Sequence, residues 1–478
     1  MALGIIVGGI SPLTVPPKPQ HTIPIGIIGD GYTALAFGYH ALRAGIAHDA
    51  MMVFGPGILG HGRAYGTAHD DYRLNVRADL MRLDPNTPDD FPNWAATNID
   101  DPSAKTDAGW FYRRRDFARY LTDRLTDQLN TSTGGHPIPQ HRHHVTAITP
   151  SPDGWCVWAG DKKLAQCRQL ILATGNPPTT PPFALPPSLA GRVISAPWLG
   201  TGYDDIAPQH HHTDEHITII GGGLTGLDAV TALVNTNAAH ITMVTPGGHL
   251  PPPQLNWVPG RSNGAKWRNP KTAAAFAQIF LQQLDHHALD DVIMQEQFEH
   301  LRRDFNAHWT ALSLHDRERL LARLGWLWQK IRFRSTPHAA AAITTLTAQG
   351  RFTMIAGRVT ALTDHDGGAQ LTLDDTTTIT TDRVILATGR GHDALLDRLM
   401  ADGHASHPFQ TDKHHRVITP TGPGSLFALG PPTMISQGDV MGASTIAALA
   451  HNLAHDLAHN LAHDLAHHPA RPHKGITS

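Results

Sequence analysis

One glycine turn constrains this chain more than any other feature. An apolar run from Pro24 to Ile28 ends at Gly29, Gly31 follows, and Ala34 stands three residues further on. An alanine-rich stretch of helical character continues from Leu35 to Arg43. The order reads strand, tight turn, helix. Gly29 permits the sharp turn, Gly31 lets a pyrophosphate approach the backbone, and Ala34 lets helix and strand pack closely. The helix N-terminus then offers free N–H groups and the positive end of its dipole to the phosphate. A second copy, Gly221, Gly223 and Gly226, follows the apolar run Ile217 to Ile220 and precedes another helical stretch. Two such units in one chain predict an α/β fold with two Rossmann-like dinucleotide-binding domains.

The length of 478 residues accommodates two or three domains. A net charge of -3 excludes nucleic-acid binding by bulk electrostatics. The 34 histidines would raise the charge below about pH 6.5. Cys156 and Cys167 form no Cys-x-x-Cys pair and read as buried thiols rather than a redox dithiol or a disulfide framework. Residues 1–20 are apolar and then proline-rich, with no Lys or Arg before Lys18. They read as a disordered leader rather than a signal peptide or membrane span, and the expected location is the cytoplasm.

The second strand of the first unit is expected at Ala50 to Phe54. Dinucleotide folds place an acidic residue at the end of this strand to hold the ribose, but Phe54 and Gly55 stand here. The loop Gly60 to Thr67 reads equally well as a loop lying against a flat ligand or as a plain surface loop. Tyr112 to Leu125 reads as an amphipathic helix with solvated arginines. Further strands are expected at Trp155–Trp158 and Gln169–Ala173, the latter running into Leu172-Ala-Thr-Gly175. Six prolines between Asn176 and Pro187 mark an extended linker, and a second linker spans Gly200 to His216. In the second unit, Ile241 to Val244 is a strand leading to Thr245, with no Arg or carboxylate to separate NADH from NADPH.

From Asn269 to about Thr347 long helical patterns intervene, longer than a simple crossover. They read as a helical insertion with Trp and Leu inside and most arginines outside; Arg332 and Arg334 are candidates to hold an anionic substrate. Strands resume at Phe352–Ile355, Ala369–Leu373 and Asp382–Ala387, which runs into a second Leu386-Ala-Thr-Gly389. A last strand, Ser425 to Gly430, precedes Pro431. In the C-terminal helix, histidines recur every four residues from His451 to His467 beside Leu453, Leu457, Leu461 and Leu465. The stripes drift by about 40° per repeat, so a tail helix is expected and no metal site.

This combination resembles the two-dinucleotide-binding-domain flavoproteins over roughly residues 23 to 450. In those proteins the first unit binds FAD and the second, inserted in sequence, binds NAD(P)H, with the Ala-Thr-Gly segments at the two crossings. More narrowly, Gly60-x-Gly62-x-Ala64-Tyr65-Gly66-Thr67, followed by Leu74, Asn75 and Val76, resembles a bacterial FAD/NAD(P)-binding family. It includes L-aspartate N-hydroxylase-like and flavin-dependent urate hydroxylase-like proteins. Asp382-x-x-x-Leu386-Ala-Thr-Gly389 is similar to a motif of N-hydroxylating monooxygenases. Ser195 occupies the central histidine position of the Baeyer–Villiger signature, and Pro431 follows Gly430 where many flavoproteins carry Asp.

The resemblance implies an FAD domain at 21–180 and 385–450, an NAD(P) domain at 215–384 with an insertion at 269–347, and a His-rich tail from 451. It implies cofactor contacts from Gly29, Gly31, Ala34, Arg63, Tyr65, Asn75, Thr174, Gly175, Gly430 and Pro431 around the first unit. Around the second it implies Gly221, Gly223, Gly226, Thr245, Thr388 and Gly389. The expected activity is a monooxygenase using FAD, NAD(P)H and O₂. Through a flavin C4a-hydroperoxide it would hydroxylate a nitrogen or carbon of a small polar, acidic-amino-acid-like substrate, with Asn75, Arg332 and Arg334 as candidate catalytic residues. Such chemistry needs positioning and water exclusion more than a nucleophile. An NAD(P)H:acceptor reductase and a flavin-binding sensor are the alternatives. Neither nucleic acid nor membrane is an expected partner, and homo-oligomerisation is left open.

Overall fold

The computed structural model of the protein describes residues 22–67, 69–203, 215–236, 238–258, 267–284, 291–420 and 424–467. The expected leader, the tip of the second linker and the end of the tail therefore lie outside the described residues. Two parallel sheets dominate, each built on one glycine turn. In the first, strand Ile23–Ile28 lies between Met51–Phe54 and Lys162–Leu172, parallel to both, in the register Ile25↔Met51 and Ile25↔Gln169. Gln140–His141 extends one edge. An antiparallel meander of Gly154–Ala159 and Ala147–Ser151 extends the other. Leu426–Ala428 returns from the far end of the chain to pair in parallel with Lys162–Leu172.

The second sheet runs Phe352–Ala356, His240–Thr245, His216–Ile220, Arg383–Leu386, Val193–Ile194, all parallel. Its central strands are apolar on both faces, as a covered parallel sheet requires. A three-stranded antiparallel sheet, Val359–His365, Gly368–Leu373 and Thr378–Thr381, packs against it.

The expected insertion contains four helices: Ala273–Leu284, Val292–Thr310, Leu314–Arg332 and Pro337–Ala348. The last is the crossover helix of the second unit; its Ala342 and Leu346 bury against Val230, Leu233 and the sheet. The first three form a separate cap with its own aromatic core. Ser313 and Thr336 cap the N-termini of two of these helices through their hydroxyls.

Helix Tyr32–Arg43, which follows the first glycine turn, is sandwiched by the C-terminal helix Ala443–His467. Leu453 and Leu457 of the tail stripe are each 1% exposed, each burial worth roughly 2 kcal/mol. Among the described residues no cluster of three or more metal-ligating side chains occurs, and no helix is long and apolar enough to cross a membrane. Of the repeat's histidines, His451 packs against the helix Tyr32–Arg43. His451 places its Nδ1 3.4 Å from Nδ1 of His40. His40, 1% exposed, donates from Nε2 to the Leu83 carbonyl at 2.9 Å, so its Nδ1 carries the lone pair. Protonation would turn that contact into two opposed donors.

Burial lowers His40 to about 4, and does the same to His415 near the other face of the tail helix. The fold favours the neutral rings. That stabilisation is complete above pH 6.5 and is lost as pH falls towards 4, by roughly 3 kcal/mol for a ring such as His40. Urea unfolding at pH 7, 5.5 and 4.5 should show a falling midpoint, and His40→Gln, which keeps the donor to Leu83, should flatten that decline. An unchanged slope in the variant would show that the acid lability lies elsewhere.

Candidate active site

The two glycine turns are built alike. Gly29 has φ +111° and donates to the Phe54 carbonyl at 2.8 Å; Gly221 has φ +112° and donates to Val244 at 2.8 Å. A Cβ on Gly29 would stand 2.4 Å from the Ala173 carbonyl oxygen, and one on Gly221 2.2 Å from that of Ala387. Each turn therefore nests on the alanine of one Ala-Thr-Gly segment. Gly226 packs just as closely, with its Cβ position 2.1 Å from the Gly221 oxygen, while Ala34 is wholly buried. The helices that follow, Tyr32–Arg43 and Leu224–Leu233, start at Gly31 and Gly223 with no side-chain cap. Their first N–H groups remain available to an anion.

The two Ala-Thr-Gly segments bind each other's continuations. Thr174 donates its hydroxyl to Asp393 at 2.7 Å, Thr179 donates to the Gly389 carbonyl at 2.8 Å, and Gly391 donates to the Pro178 carbonyl at 2.8 Å. The prolines of the linker hold it extended beside residues 389–391. Gly175 and Gly389 have positive φ and open space at the Cβ position. The Thr388 hydroxyl is buried without a protein partner. Two uncapped helix starts, an orphaned hydroxyl and open glycine backbone fit bound dinucleotides.

Around the first turn, Gly62 crosses Gly31, and a Cβ there would stand 2.8 Å from the Gly31 Cα. The loop Gly60 to Thr67 thus lies on the turn, and part of it, Gly62–Tyr65, is a short helix. Tyr65 packs on Tyr32 and Phe117, and burial raises its hydroxyl above the usual range. Arg63 reaches the Asn176 carbonyl at 3.3 Å and lies 5.4 Å from the Trp198 ring. Gly430, with φ +76°, packs on the Thr33 hydroxyl, and Pro431 opens a 3₁₀ turn. Thr245 is buried beside Gly222.

Asn75 is half-buried, and its carbonyl accepts from Gln254 at 2.9 Å. Gln254 in turn accepts from Gln295 of the cap at 2.6 Å. Arg77 donates to the Trp257 carbonyl. Residues 250–258 thus strap both glycine-turn units to the cap. Arg334 donates to the Pro253 carbonyl of this strap.

Arg332 has its carboxylate partner within the chain. Its Nε donates to Asp439 at 2.9 Å, and Arg302 Nε donates to the same oxygen at 2.6 Å. Burial alone would raise the Asp439 carboxyl, but the two guanidinium groups outweigh it and hold it at about 2. Asn306 brackets the Asp439 backbone, Trp309 donates to the Ile435 carbonyl, and Arg317 donates to that of Ser436. Several arginines expected outside the cap thus point inward and clamp residues 435–439. Those expected to be solvated on the Tyr112 helix are also paired. Arg124 holds Asp90, and Arg114 spans the two units to Asp228 at 2.7 Å. Burial raises Asp228 to about 6 against the opposing pull of Arg114. No local motif marks Asp228, Gln254, Asp393 or Asp439, because their partners lie far along the chain.

A family of FAD-NAD(P)-binding proteins matches residues 26–177 and 336–391, segments that carry the first glycine turn and both Ala-Thr-Gly crossings but not the second turn, Gly221–Gly226. The chain folds as two Rossmann-like dinucleotide-binding domains, each built on one glycine turn. Its fold is that of the ornithine hydroxylase PvdA from Pseudomonas aeruginosa, at TM-score 0.62 and 17% identity, over 92% of this chain and 100% of that one. L-lysine 6-monooxygenase from Pseudomonas syringae is similar at TM-score 0.59 and 17% identity, over 92% and 99%. The thioredoxin reductase of T. acidophilum shares the fold more loosely, at TM-score 0.50 and 10% identity, over 92% and 98%. No curated protein sequence matches. The likeness to hydroxylases agrees with the resemblance carried by Gly60–Thr67 and Asp382–Gly389.

The Asp439 clamp yields a direct test. Asp439→Asn leaves the buried Arg332 guanidinium without a carboxylate and Arg302 with Glu299 alone, which should cost roughly 3–5 kcal/mol. Urea unfolding should show the loss, and limited proteolysis should cut the cap first. An unaltered midpoint would mean that the cap is held by its aromatic core alone.

Proposed function

We propose that this protein is an FAD-dependent, NAD(P)H-using monooxygenase that hydroxylates a nitrogen or carbon of a small molecule. The observation that carries the reading is the state of the thiols within a fold common to hydroxylases and thioredoxin reductases. Cys156 and Cys167 are both buried in the first sheet. Burial pushes the Cys167 thiol up to about 12, and a Cβ on Gly26 would meet its sulfur at 2.6 Å. Both thiols are too buried to serve as a redox nucleophile, which must be reachable by its disulfide partner. Dithiol reduction drops out, and between oxygen transfer and plain acceptor reduction the likeness to hydroxylases supports oxygen chemistry.

When bound, FAD supplies hydride acceptance from the nicotinamide and activation of O₂. The chain's own residues would bind, orient and enclose. The Gly29–Gly31 turn and its helix would take the FAD pyrophosphate, with Gly430 closing from the return strand. The Gly221–Gly223 turn would take that of the nicotinamide cofactor, with Thr388 and Gly389 at the crossing. Asn75, held through its carbonyl by Gln254, borders the region where strap, cap and first unit meet. The cap, clamped through Asp439, would exclude water there, which coupled oxygen transfer demands.

Two measurements follow. Gly29→Ala forces a Cβ into the Ala173 carbonyl and should yield protein without flavin absorbance. Gly221→Ala should keep the flavin and slow its reduction by NADH and NADPH at least tenfold. In the wild type, a screen of amines, amino acids, purines and apolar acids should find a compound that stimulates NAD(P)H oxidation with matching O₂ uptake. Its product should be one oxygen atom heavier. Quinone or dye reduction with no oxygenated product from any compound would replace this reading with that of an acceptor reductase.

A further inference from the structure

Between the cap and residues 434–441 lies a cleft whose walls are apolar. Phe276, Phe305, Trp309, Leu324 and Trp328 line one side, and Arg390 stands at the other. The rings form a continuous surface: Phe305 and Trp328 stack with centroids 4.1 Å apart, and Trp309 lies 5.5 Å from Phe305. The cleft adjoins the candidate cofactor region twice. Arg390 directly follows the Ala-Thr-Gly389 crossing, and residues 434–441 link Gly430 to the start of the C-terminal helix.

The charges around it do not cancel. Arg302 and Arg332 are matched by Glu299 and Asp439. Arg390 is not matched. Its two terminal nitrogens reach only the sulfurs of Met441 and Met434, each at 3.8 Å, and thioether sulfur is a weak acceptor. Among the described residues no carboxylate pairs with it. Its solvent-accessible guanidinium is nonetheless partly desolvated by the apolar walls, which lower its pKa from the ordinary value. A planar cation with its fork free, at the edge of an aromatic surface, is arranged to receive a carboxylate.

We propose that this cleft takes a substrate with an apolar, aryl-sized body and a carboxylate end, the body against the aromatic wall and the carboxylate on Arg390. The inference deepens the monooxygenase reading by naming its substrate class, and rests on it for catalytic meaning. It also separates this protein from fold relatives named for ornithine and lysine. A cationic amine end would face an unbalanced positive charge here, and a polar body would lose its hydration against the rings.

Binding can be measured without turnover. The flavin-loaded protein is titrated with phenylbutyrate, with its neutral amide and with the corresponding amine, following tryptophan fluorescence. The acid should bind at least about tenfold tighter than either. Arg390→Gln should bring the acid down to the amide without altering the amide, Arg390→Lys should keep part of the preference, and Leu324→Trp should weaken both acid and amide. The proposal is overturned if none of the three binds, if acid and amide bind alike, or if the preference survives in Arg390→Gln. Acid-selective binding lost in Arg390→Gln supports it even where no compound of the wider screen yields an oxygenated product; that result would sink the oxygenase reading and leave the cleft's selectivity standing.

Discussion

The approach of a glycine to an alanine carbonyl, made once in each unit, is the contact on which the molecule depends. Gly29 over Ala173 and Gly221 over Ala387 leave no room for a side chain. The contact turns the chain sharply enough to aim a helix N-terminus at the end of its own sheet. It also fixes where the neighbouring strand must stop and leave. Because that strand leaves as Ala-Thr-Gly in both units, the same contact that builds a phosphate site also places the crossing between units. The bonds from Thr174 to Asp393 and from Thr179 to Gly389 then hold the two crossings together. Site and crossing thus share one piece of backbone.

The cap is attached by different physics. Its core is aromatic and self-contained, and could in principle drift on the surface of the first unit. Asp439 prevents this by drawing two guanidinium groups to one oxygen. The desolvation cost of such a cluster is high, and it is sustained only because the charges sit within 3 Å of each other and the backbone on either side is bonded to Asn306. The arrangement favours one orientation of the cap over its neighbours more than it adds net stability.

Much of the parallel architecture was legible in the sequence, because its signals are local. Apolar runs, paired glycines and repeated Ala-Thr-Gly segments each fall within a few residues. The helix Pro337–Ala348 was less so: its alanine-rich pattern suits the cap and the crossover layer equally, and only the pairing of His240–Thr245 with Phe352–Ala356 assigns it. The arginines misled for a related reason. Helical periodicity places Arg302, Arg317 and Arg332 on a face, but says nothing of what covers that face. Their partners, at residues 436–439, lie more than one hundred positions away. Asn75 and Arg63 stand out in the sequence by their motifs, yet their bonds run to Gln254 and Asn176, which carry no pattern.

The missing acid at the end of the second strand has a physical account. Asp30, between the two glycines of the first turn, folds its carboxylate across that position and accepts from the Gly57 N–H at 2.5 Å. A Cβ on Gly55 would stand 2.7 Å from the same oxygen, and one on Gly57 3.0 Å. Gln140 secures the loop from the other side by donating to the Gly55 and Gly57 carbonyls. An acidic side chain at position 55 would meet Asp30 in both space and charge. The carboxylate at the end of the second strand is supplied by the first turn, and the glycines at 55 and 57 make room for it.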